Sequence, residues 1–300
     1  MNTRNPDAQA KLSLAAAMVI FGTIGLLRRL IDLPSAAISC CRGLLGCAFL
    51  LAMQCLRGRK PDWTALRPKL WLLLLSGAMI GFNWMLLFEA YRYTTVAAAT
   101  LCYYMAPILL IAVSPFLFGE KMTGGKIVCV ALAVLGVVLV SGVLDGGALP
   151  AGTGTGIALG LGAAVLYASV MVITKKLNAL NAFDTTIIQL GAAGAVMIPY
   201  LLFTGELASV QVETRSMLLL LVVSIVHTGL PYAMYFGAMG RLPAQTVALM
   251  SYLDPITALL LSALVLHEKL SVFGIIGAIL VLGATVLSDL LDRRAARKTA

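Results

Sequence analysis

Long, evenly apolar stretches separated by short polar segments run through the chain from residue 12 to residue 290. A helix needs about 20 mostly apolar residues to cross a membrane, whereas a strand of a membrane barrel needs about ten residues of alternating polarity. The stretches are too long and too uniform to be such strands. They predict ten membrane-spanning helices, at 12–31, 34–56, 70–90, 94–118, 125–143, 155–174, 183–204, 216–237, 243–266 and 271–290.

Composition agrees with this pattern. Apolar residues make up 60% of the chain and charged residues 12%, whereas a soluble domain has about 45–50% and about 25%. A water-soluble fold of 300 residues cannot hide that much apolar surface. We therefore expect an all-α membrane protein whose surroundings are a lipid bilayer.

The net charge of +9 raises the question of nucleic-acid binding, but the cations are not gathered into a basic patch. With the N-terminus inside, 16 Lys and Arg residues fall in the inner loops and tails and five in the outer loops. This positive-inside bias predicts that both termini lie in the cytoplasm. The expected location is the inner membrane of a bacterium, and nucleic acid is not an expected partner.

The second half of the chain repeats the first. The block Tyr104-Met105-Ala106-Pro107-Ile108 returns 148 residues later as Tyr252-Leu253-Asp254-Pro255-Ile256. Each half has five predicted spans, and an odd number places the second half in the membrane upside down, as in duplicated transporters. The predicted divisions are a first repeat at 12–145, an external linker at 146–154 rich in Gly, a second repeat at 155–292 and a basic cytoplasmic tail at 293–300.

Pro107 and Pro255 fall near the middles of spans four and nine. Proline cannot donate a backbone hydrogen bond, and its ring displaces the carbonyl group four residues earlier in the helix. Here the affected carbonyl groups are those of Tyr103 and Ser251. Broken helices at matching positions of two repeats point to a transporter's binding site. The alternative is a packing kink, since proline is common in membrane helices.

Helical spacing places polar and aromatic side chains around these breaks. Tyrosines of membrane proteins often form belts at the two membrane interfaces, but by residue count the tyrosines near the breaks lie deeper than that. Aromatic walls with a few polar groups suit small organic ligands. We expect alternating access around one central cavity. The predicted substrate-binding residues are Asn83, Trp84, Thr100, Tyr103, Tyr104, His227, Tyr232, Tyr235, Gln245 and Tyr252, with His227, Pro231 and Tyr235 forming one stripe on span eight.

Three ionisable residues are predicted to lie inside the membrane, away from its interfaces, and such residues are costly in lipid and often functional. Asp254 is a candidate to exchange a proton or attract an ammonium group, or else to stabilise the kink at Pro255 through hydrogen bonds to Ser251 or Tyr252. Arg42 is interpreted as a structural charge, with contact to an anion as the alternative. His227 titrates near neutral pH, but a lone histidine on an apolar face is more often a packing residue.

Catalytic motifs are absent from the sequence, which has no His-Glu-x-x-His, Gly-x-Ser-x-Gly or phosphate-binding glycine loop. The six cysteines lie within predicted spans, without the spacing of a zinc site. We therefore predict a protein that is not an enzyme and that needs no metal or cofactor.

The chain resembles the EamA family of the drug/metabolite transporter superfamily. The resemblance rests on the two five-helix repeats, Phe21-Gly22, Arg42 in span two, the mid-helix prolines, and a Gly-Glu-Lys turn at 119–121. Three positions of the second half depart from the pattern: Tyr167-Ala168 replaces the Phe-Gly pair, Gln189 stands in the region matching Arg42, and His267 stands where the turn usually has Gly.

The resemblance implies a carrier of small organic metabolites, and with the Tyr- and Trp-rich centre it favours export of amino acids, including aromatic ones. The alternatives are uptake or exchange of a cationic or nucleoside-like metabolite, and multidrug efflux. A proton is a candidate coupling ion. The oligomeric state stays open between monomer and homodimer.

Overall fold

The computed structural model describes residues 6–119, 122–142, 144, 151–177, 179–209, 213–239, 241–242 and 244–299. In these residues every regular element is helical. Counted across short interruptions, seven helical segments in this part of the chain are long and apolar enough to cross a membrane. Three shorter apolar helices accompany them, at Gly124–Val140, Leu253–Leu264 and Val272–Ser288. An all-helical membrane protein is thus the observed architecture.

The described part of the first repeat contains eight helices, because two predicted spans are interrupted and a short helix precedes the third span. Helix α1 (Pro6–Gly22) is followed after Thr23 by the short α2, and the predicted span at 94–118 divides into α6 and α7. The remaining bounds are α2 (Ile24–Arg29), α3 (Ser35–Leu56), α4 (Trp63–Leu66), α5 (Leu70–Tyr93), α6 (Val96–Tyr103), α7 (Ala106–Phe118) and α8 (Gly124–Val140), with a 3-10 turn at Arg67–Lys69.

The second repeat begins with α9, and of the two interruptions in its described residues the one in the predicted span at 243–266 matches the first repeat. A π-helical turn at Ile225–Gly229 divides the predicted span at 216–237. The bounds are α9 (Thr153–Lys176), α10 (Ala182–Thr204), α11 (Thr214–Ser224), α12 (Leu230–Met239), α13 (Ala244–Ser251), α14 (Leu253–Leu264) and α15 (Val272–Thr299), with a 3-10 turn at Glu206–Ser209. The backbone of α15 continues into the predicted tail, whereas most of the predicted linker lies outside the described residues.

The prolines break their helices where the sequence predicts. Helix α6 ends at Tyr103 and α7 begins at Ala106, whereas α13 ends at Ser251 and α14 begins at Leu253. Pro107 and Pro255 each lie in the first turn of the following helix, where a missing backbone N–H costs nothing. The breaks fall at Tyr104 and Tyr252, which are 148 residues apart.

The helices of the two repeats interleave. Helix α5 packs along α9, and α1 packs along α12, so that the third span of each half contacts the first span of the other. Helix α3 packs against α10, and α8 against α15. These pairings bring both breaks to the same central region.

Glycines allow the two symmetric pairings to form at close range. A Cβ built on Gly43 would fall 2.7 Å from the Cα of Gly194. Likewise, a Cβ built on Gly136 would lie 2.8 Å from the carbonyl oxygen of Gly277. Such distances are too short for any side chain, and small residues at helix contacts are how membrane helices approach closely.

Candidate functional site

A cavity of about 550 Å³ lies between the two repeats, where both broken helices meet. Its volume is within the range of about 300–1,000 Å³ that is usual for small-molecule sites. Eleven residues singled out from the sequence line it. They are Arg42, Asn83, Trp84, Thr100, Tyr103, Tyr104, Pro107, Tyr232, Tyr235, Tyr252 and Asp254.

Aromatic rings form much of the cavity wall. Tyr103 stacks on Tyr167, with ring centroids 5.1 Å apart and planes 16° apart, and Tyr104 meets the edge of Tyr103. Across the cavity, Tyr232 meets Phe21 edge to face at 5.3 Å. Rings from both repeats therefore offer flat apolar surface to a ligand.

Asp254 stands at the break of the second repeat and accepts a hydrogen bond from the first. The Tyr104 hydroxyl donates to its Oδ2 at 2.6 Å. The bond joins the two broken helices directly. Gly22 allows this arrangement, because a Cβ on it would fall 2.5 Å from the Asp254 carbonyl oxygen. The sequence offered Ser251 as an alternative hydrogen-bond donor to Asp254. That alternative is wrong, because the Ser251 hydroxyl donates to the Val247 carbonyl instead.

Arg42 lies in the same cavity wall, although the sequence favoured a structural role for it. Its Nε donates to the Thr228 hydroxyl at 2.7 Å, and its guanidinium carbon lies 4.0 Å from the centroid of the Trp84 ring. The hydrogen bond and the ring face hold the guanidinium plane in place. Among the ion pairs of the described residues, none joins Arg42 to Asp254. The cavity thus holds one positive and one negative group that stand apart.

Two polar residues of the wall also bind neighbouring helices. The Asn83 amide donates to the Ala163 carbonyl of α9 at 2.6 Å, and the Tyr91 and Thr100 hydroxyls lie 3.2 Å apart. Asn83 is therefore a joint between α5 and α9 as well as part of the wall.

His227 does not line the cavity, and its predicted place there is wrong. The stripe of His227, Pro231 and Tyr235 assumed α-helical spacing, but the π turn adds a residue to one turn and rotates His227 off the face that carries Tyr235. His227 instead lies buried with its Nε2 2.7 Å from the Thr23 hydroxyl. It fastens the interruption between α1 and α2 to the π turn.

Pro255 is buried, and it is not among the residues that line the cavity. The side chain of Gln245 lies outside the described residues. Several lining residues were not selected from the sequence. They are Met18, Phe21, Tyr91, Tyr167, Met171, Ser251, Thr285 and Ser288. Phe21 and Tyr167 could have been selected from the sequence, because they are the first residues of the Phe-Gly pair and of its counterpart in the other repeat.

A second cavity, of about 730 Å³, lies on the side that the charge pattern assigns to the cytoplasm. Arg57, Asp62 and Phe236 are among its lining residues. Hydrogen bonds from the Thr64 side chain and the Ala65 amide hold the pKa of Asp62 below its usual value, so this carboxylate stays charged. Phe236 stacks on Tyr232, which lines the central cavity, with ring centroids 6.0 Å apart. This pair of rings therefore lies between the second cavity and the central cavity.

Within the described part of the chain, no group of three or more His, Cys, Asp and Glu side chains is placed to hold a metal ion. The polar groups of the central cavity are hydroxyls, one amide, one carboxylate and one guanidinium. This set suits recognition of a small polar molecule with an apolar part.

Comparison with known proteins places the chain among transporters. It is 25% identical over 279 residues to the uncharacterized transporter YxxF of Bacillus subtilis, covering 93% of this chain and 89% of that protein. It is also 29% identical to protein PecM of Dickeya dadantii, covering 73% of each chain. One protein crystal structure shares its fold, with a TM-score of 0.65, 21% identity and coverage of 96% of this chain and 99% of the other.

The EamA-like transporter family model matches the chain twice, at residues 10–142 and 154–288. The two matches correspond to the two halves described above and together cover nearly all of the chain. By its sequence, its repeats and its apolar helices, the chain belongs to the EamA-like transporter family of membrane proteins.

Proposed function

We propose that the protein exports amino acids, including aromatic ones, across a bacterial inner membrane by alternating access. In this proposal the chain crosses the membrane ten times as two inverted five-helix repeats, with both termini in the cytoplasm. The seven long helices supply seven crossings. The other three are α8, the broken pair α13 and α14, and α15.

The observation that carries the substrate assignment is the separation of Asp254 and Arg42 in one aromatic-walled cavity. A free amino acid carries an ammonium and a carboxylate group that need opposite charges at two points. Asp254 supplies the negative pole and Arg42 the positive one, and both are held in place by Tyr104, Thr228 and Trp84. An aromatic side chain then finds ring surfaces in Tyr103, Tyr167 and Tyr232.

Asp254 is also the group through which a proton would couple to transport. It stands at the break between α13 and α14, where the helix is interrupted inside a proposed membrane crossing. A carboxyl group at such a point binds a proton or a substrate ammonium group, and competition between the two would link export to the proton gradient.

The alternative is a carrier for a cationic metabolite, because Asp254 and the aromatic rings would also bind an amine. Phenylalanine, phenethylamine and 3-phenylpropionate separate the two readings, since they carry both charges, the positive charge and the negative charge respectively. Purified protein in liposomes should transport labelled phenylalanine and neither analogue. Equal transport of phenethylamine would favour the cationic carrier, and transport of none of the three would overturn the aromatic amino-acid assignment.

Asp254→Asn is the matching variant. The amide keeps the size of the side chain and loses its charge, so we expect phenylalanine transport to fall about tenfold or more and its pH dependence to flatten. Asp32→Asn is the control, because Asp32 is exposed and lies outside the cavity. Wild-type transport and pH profile in Asp254→Asn would show that the carboxylate serves only the helix break.

A further inference from the structure

A groove on the side of the helix bundle opens away from the central cavity. It has a volume of about 430 Å³ and lies between α3, α5 and α10. Three of its lining residues are exposed, namely Leu51, Leu74 and Trp63, at 41%, 47% and 58%. None of the described residues that line it also lines the central cavity. This side groove is therefore open to the surface of the bundle, which in a membrane is the surface that meets lipid.

The side groove has the length of one hydrocarbon chain. Along α10 its lining runs from Asp184, in the first turn, to Ala195. Eleven steps of helix rise about 16 Å, which is about half of the 30 Å or so of a bilayer's hydrocarbon core and so about one leaflet. Small residues of α10 leave the space for it, namely Gly191, Ala192 and Ala195.

A buried polar pair marks the end of the groove that the charge pattern assigns to the cytoplasm. The Gln54 amide, near the end of α3, donates to Asp184 Oδ1 at the start of α10 at 2.5 Å. Only 4% of Gln54 and 8% of Asp184 are exposed. Because these two side chains bind each other, the groove beyond them is lined mostly by leucine, isoleucine, alanine and glycine.

Cations gather directly beyond this end. The segment 57–69, which joins α3 to α5, contains five Lys and Arg residues and one acid, Asp62. Arg57, Arg59 and Lys60 are exposed and line the second cavity, which shares Gln54, Leu66 and Asp184 with the side groove. The ion pairs of the described residues involve none of these three cations. Three positive charges thus stand next to the inner end of an apolar groove.

Helix α4 lies where the cations meet the groove. Asp62 caps it by accepting the backbone N–H groups of Thr64 and Ala65. Leu66 is buried, whereas the ring of Trp63 is exposed and lines the groove. Tryptophan favours the level of the lipid headgroups. This helix therefore places the cations at the depth of a phosphate group and the groove at the depth of an acyl chain.

We propose that the side groove binds one anionic phospholipid of the inner leaflet. An acyl chain lies between α3, α5 and α10, and Arg57, Arg59 and Lys60 bind the phosphate of the headgroup. Basic pockets beside membrane helices on the cytoplasmic side are suited to anionic headgroups. A zwitterionic lipid would fill the apolar part equally well, so the cations are the source of the preference.

Native mass spectrometry of the purified, delipidated protein in detergent tests this site, with phosphatidylglycerol and phosphatidylethanolamine as probes. The wild type should bind one phosphatidylglycerol about fivefold or more tightly than phosphatidylethanolamine, because the three cations attract its net negative charge. The variant Arg57→Gln/Arg59→Gln/Lys60→Gln should bring the two affinities within about twofold of each other.

Lys11→Gln/Lys176→Gln/Arg241→Gln is the matched control. It removes as many exposed positive charges from the side assigned to the cytoplasm, and none of the three residues lines the groove or the second cavity. The control should keep the preference of the wild type. Equal losses in both triple variants would show that net charge alone attracts the lipid, and would overturn the site.

Ala195→Phe tests the apolar part of the groove. Ala195 is exposed, so a ring there fills the groove without entering a helix contact. Binding of both lipids should weaken about threefold or more, with their ratio unchanged. Ala131→Phe is the control, because Ala131 is exposed on α8 and lies outside the groove. Unchanged binding in Ala195→Phe, or an equal loss in Ala131→Phe, would overturn the place of the acyl chain.

Only the choice of leaflet rests on the topology of the proposed function, since lipid binding in detergent needs neither topology nor substrate. In a cysteine-free background, Pro68→Cys should react with an impermeant maleimide in inside-out vesicles alone. Labelling from outside would overturn the inner leaflet. Absence of phenylalanine transport with the lipid preference intact would refute only the substrate.

Discussion

At the broken helix of the first repeat, the residue before Pro107 is Ala106, whereas at the matching break of the second repeat the residue before Pro255 is Asp254. The first helix of each break ends at a matching position, Tyr103 or Ser251, and the second begins at Ala106 or Leu253, which differ by one residue from the offset of 148. A tyrosine stands at each break. The first repeat contributes the hydroxyl of Tyr104, and the second contributes the carboxylate that accepts it.

At a second pair of matching positions, the charged residue comes from the first repeat and the uncharged one from the second. Arg42 of the first repeat reaches the cavity, whereas Gln189, in the matching region of the second, is buried and donates to the Ser76 hydroxyl. The base comes from one half and the acid from the other. The two repeats therefore share the same arrangement of helices, while a few residue differences between them give the cavity one positive and one negative group. Identical residues in both halves would give two groups of the same charge.

The largest expected effect tests the close packing of the two repeats at α3 and α10. Gly43→Val places a side chain against the backbone around Gly194. We expect it to cost about 2–4 kcal/mol of stability or to abolish folding, as measured by thermal unfolding in detergent. The control is Gly283→Val, because a Cβ there meets no atom within 4 Å. Equal losses in both variants would contradict a symmetric joint between α3 and α10.

A smaller effect separates the two breaks from each other. Tyr104→Phe removes the described hydrogen bond to Asp254, and a bond to a charged group is worth about 1.5–3 kcal/mol, so transport should fall about tenfold or more. Tyr252→Phe changes the matching tyrosine and leaves that bond in place, so we expect a clearly smaller fall. Initial rates in liposomes provide the measurement, and equal effects of the two variants would make the breaks chemically equivalent.

The smallest effect concerns His227, whose matching position in the first repeat is Met79. His227→Met makes the halves alike there. The KM for substrate should stay within about twofold, because His227 lies outside the cavity wall, while the loss of its contact to Thr23 should cost about 1 kcal/mol of stability. A large rise in KM with unchanged stability would return His227 to the binding site.

The backbone plan of the site could be predicted from the sequence because its causes are local. The breaks at Tyr104 and Tyr252 follow from prolines whose missing N–H and bulky ring act within one helical turn. The repeat then brings the two breaks together. Of the eleven predicted residues that line the cavity, six lie within about one turn of a break: Thr100, Tyr103, Tyr104, Pro107, Tyr252 and Asp254.

Side-chain partners could not be predicted in this way, since they come from remote segments. The bond between Tyr104 and Asp254 spans 150 positions and depends on how the two repeats interleave. The misplacement of His227 arose from the π turn, whose extra residue leaves no signal in an evenly apolar segment. Tyr167 is a different case, because comparison of the repeats alone would have placed it opposite Phe21.

The contact between Arg42 and Trp84 gives the protein an optical property. Of its three tryptophans, Trp63 and Trp71 are exposed, at 58% and 64%, and Trp84 is buried in the cavity wall with a cation over its ring. The emission of an indole depends on the charges near it. A protein with Phe at positions 63 and 71 would therefore carry a single fluorophore at the cavity, and its spectrum would report directly on whether the site is occupied.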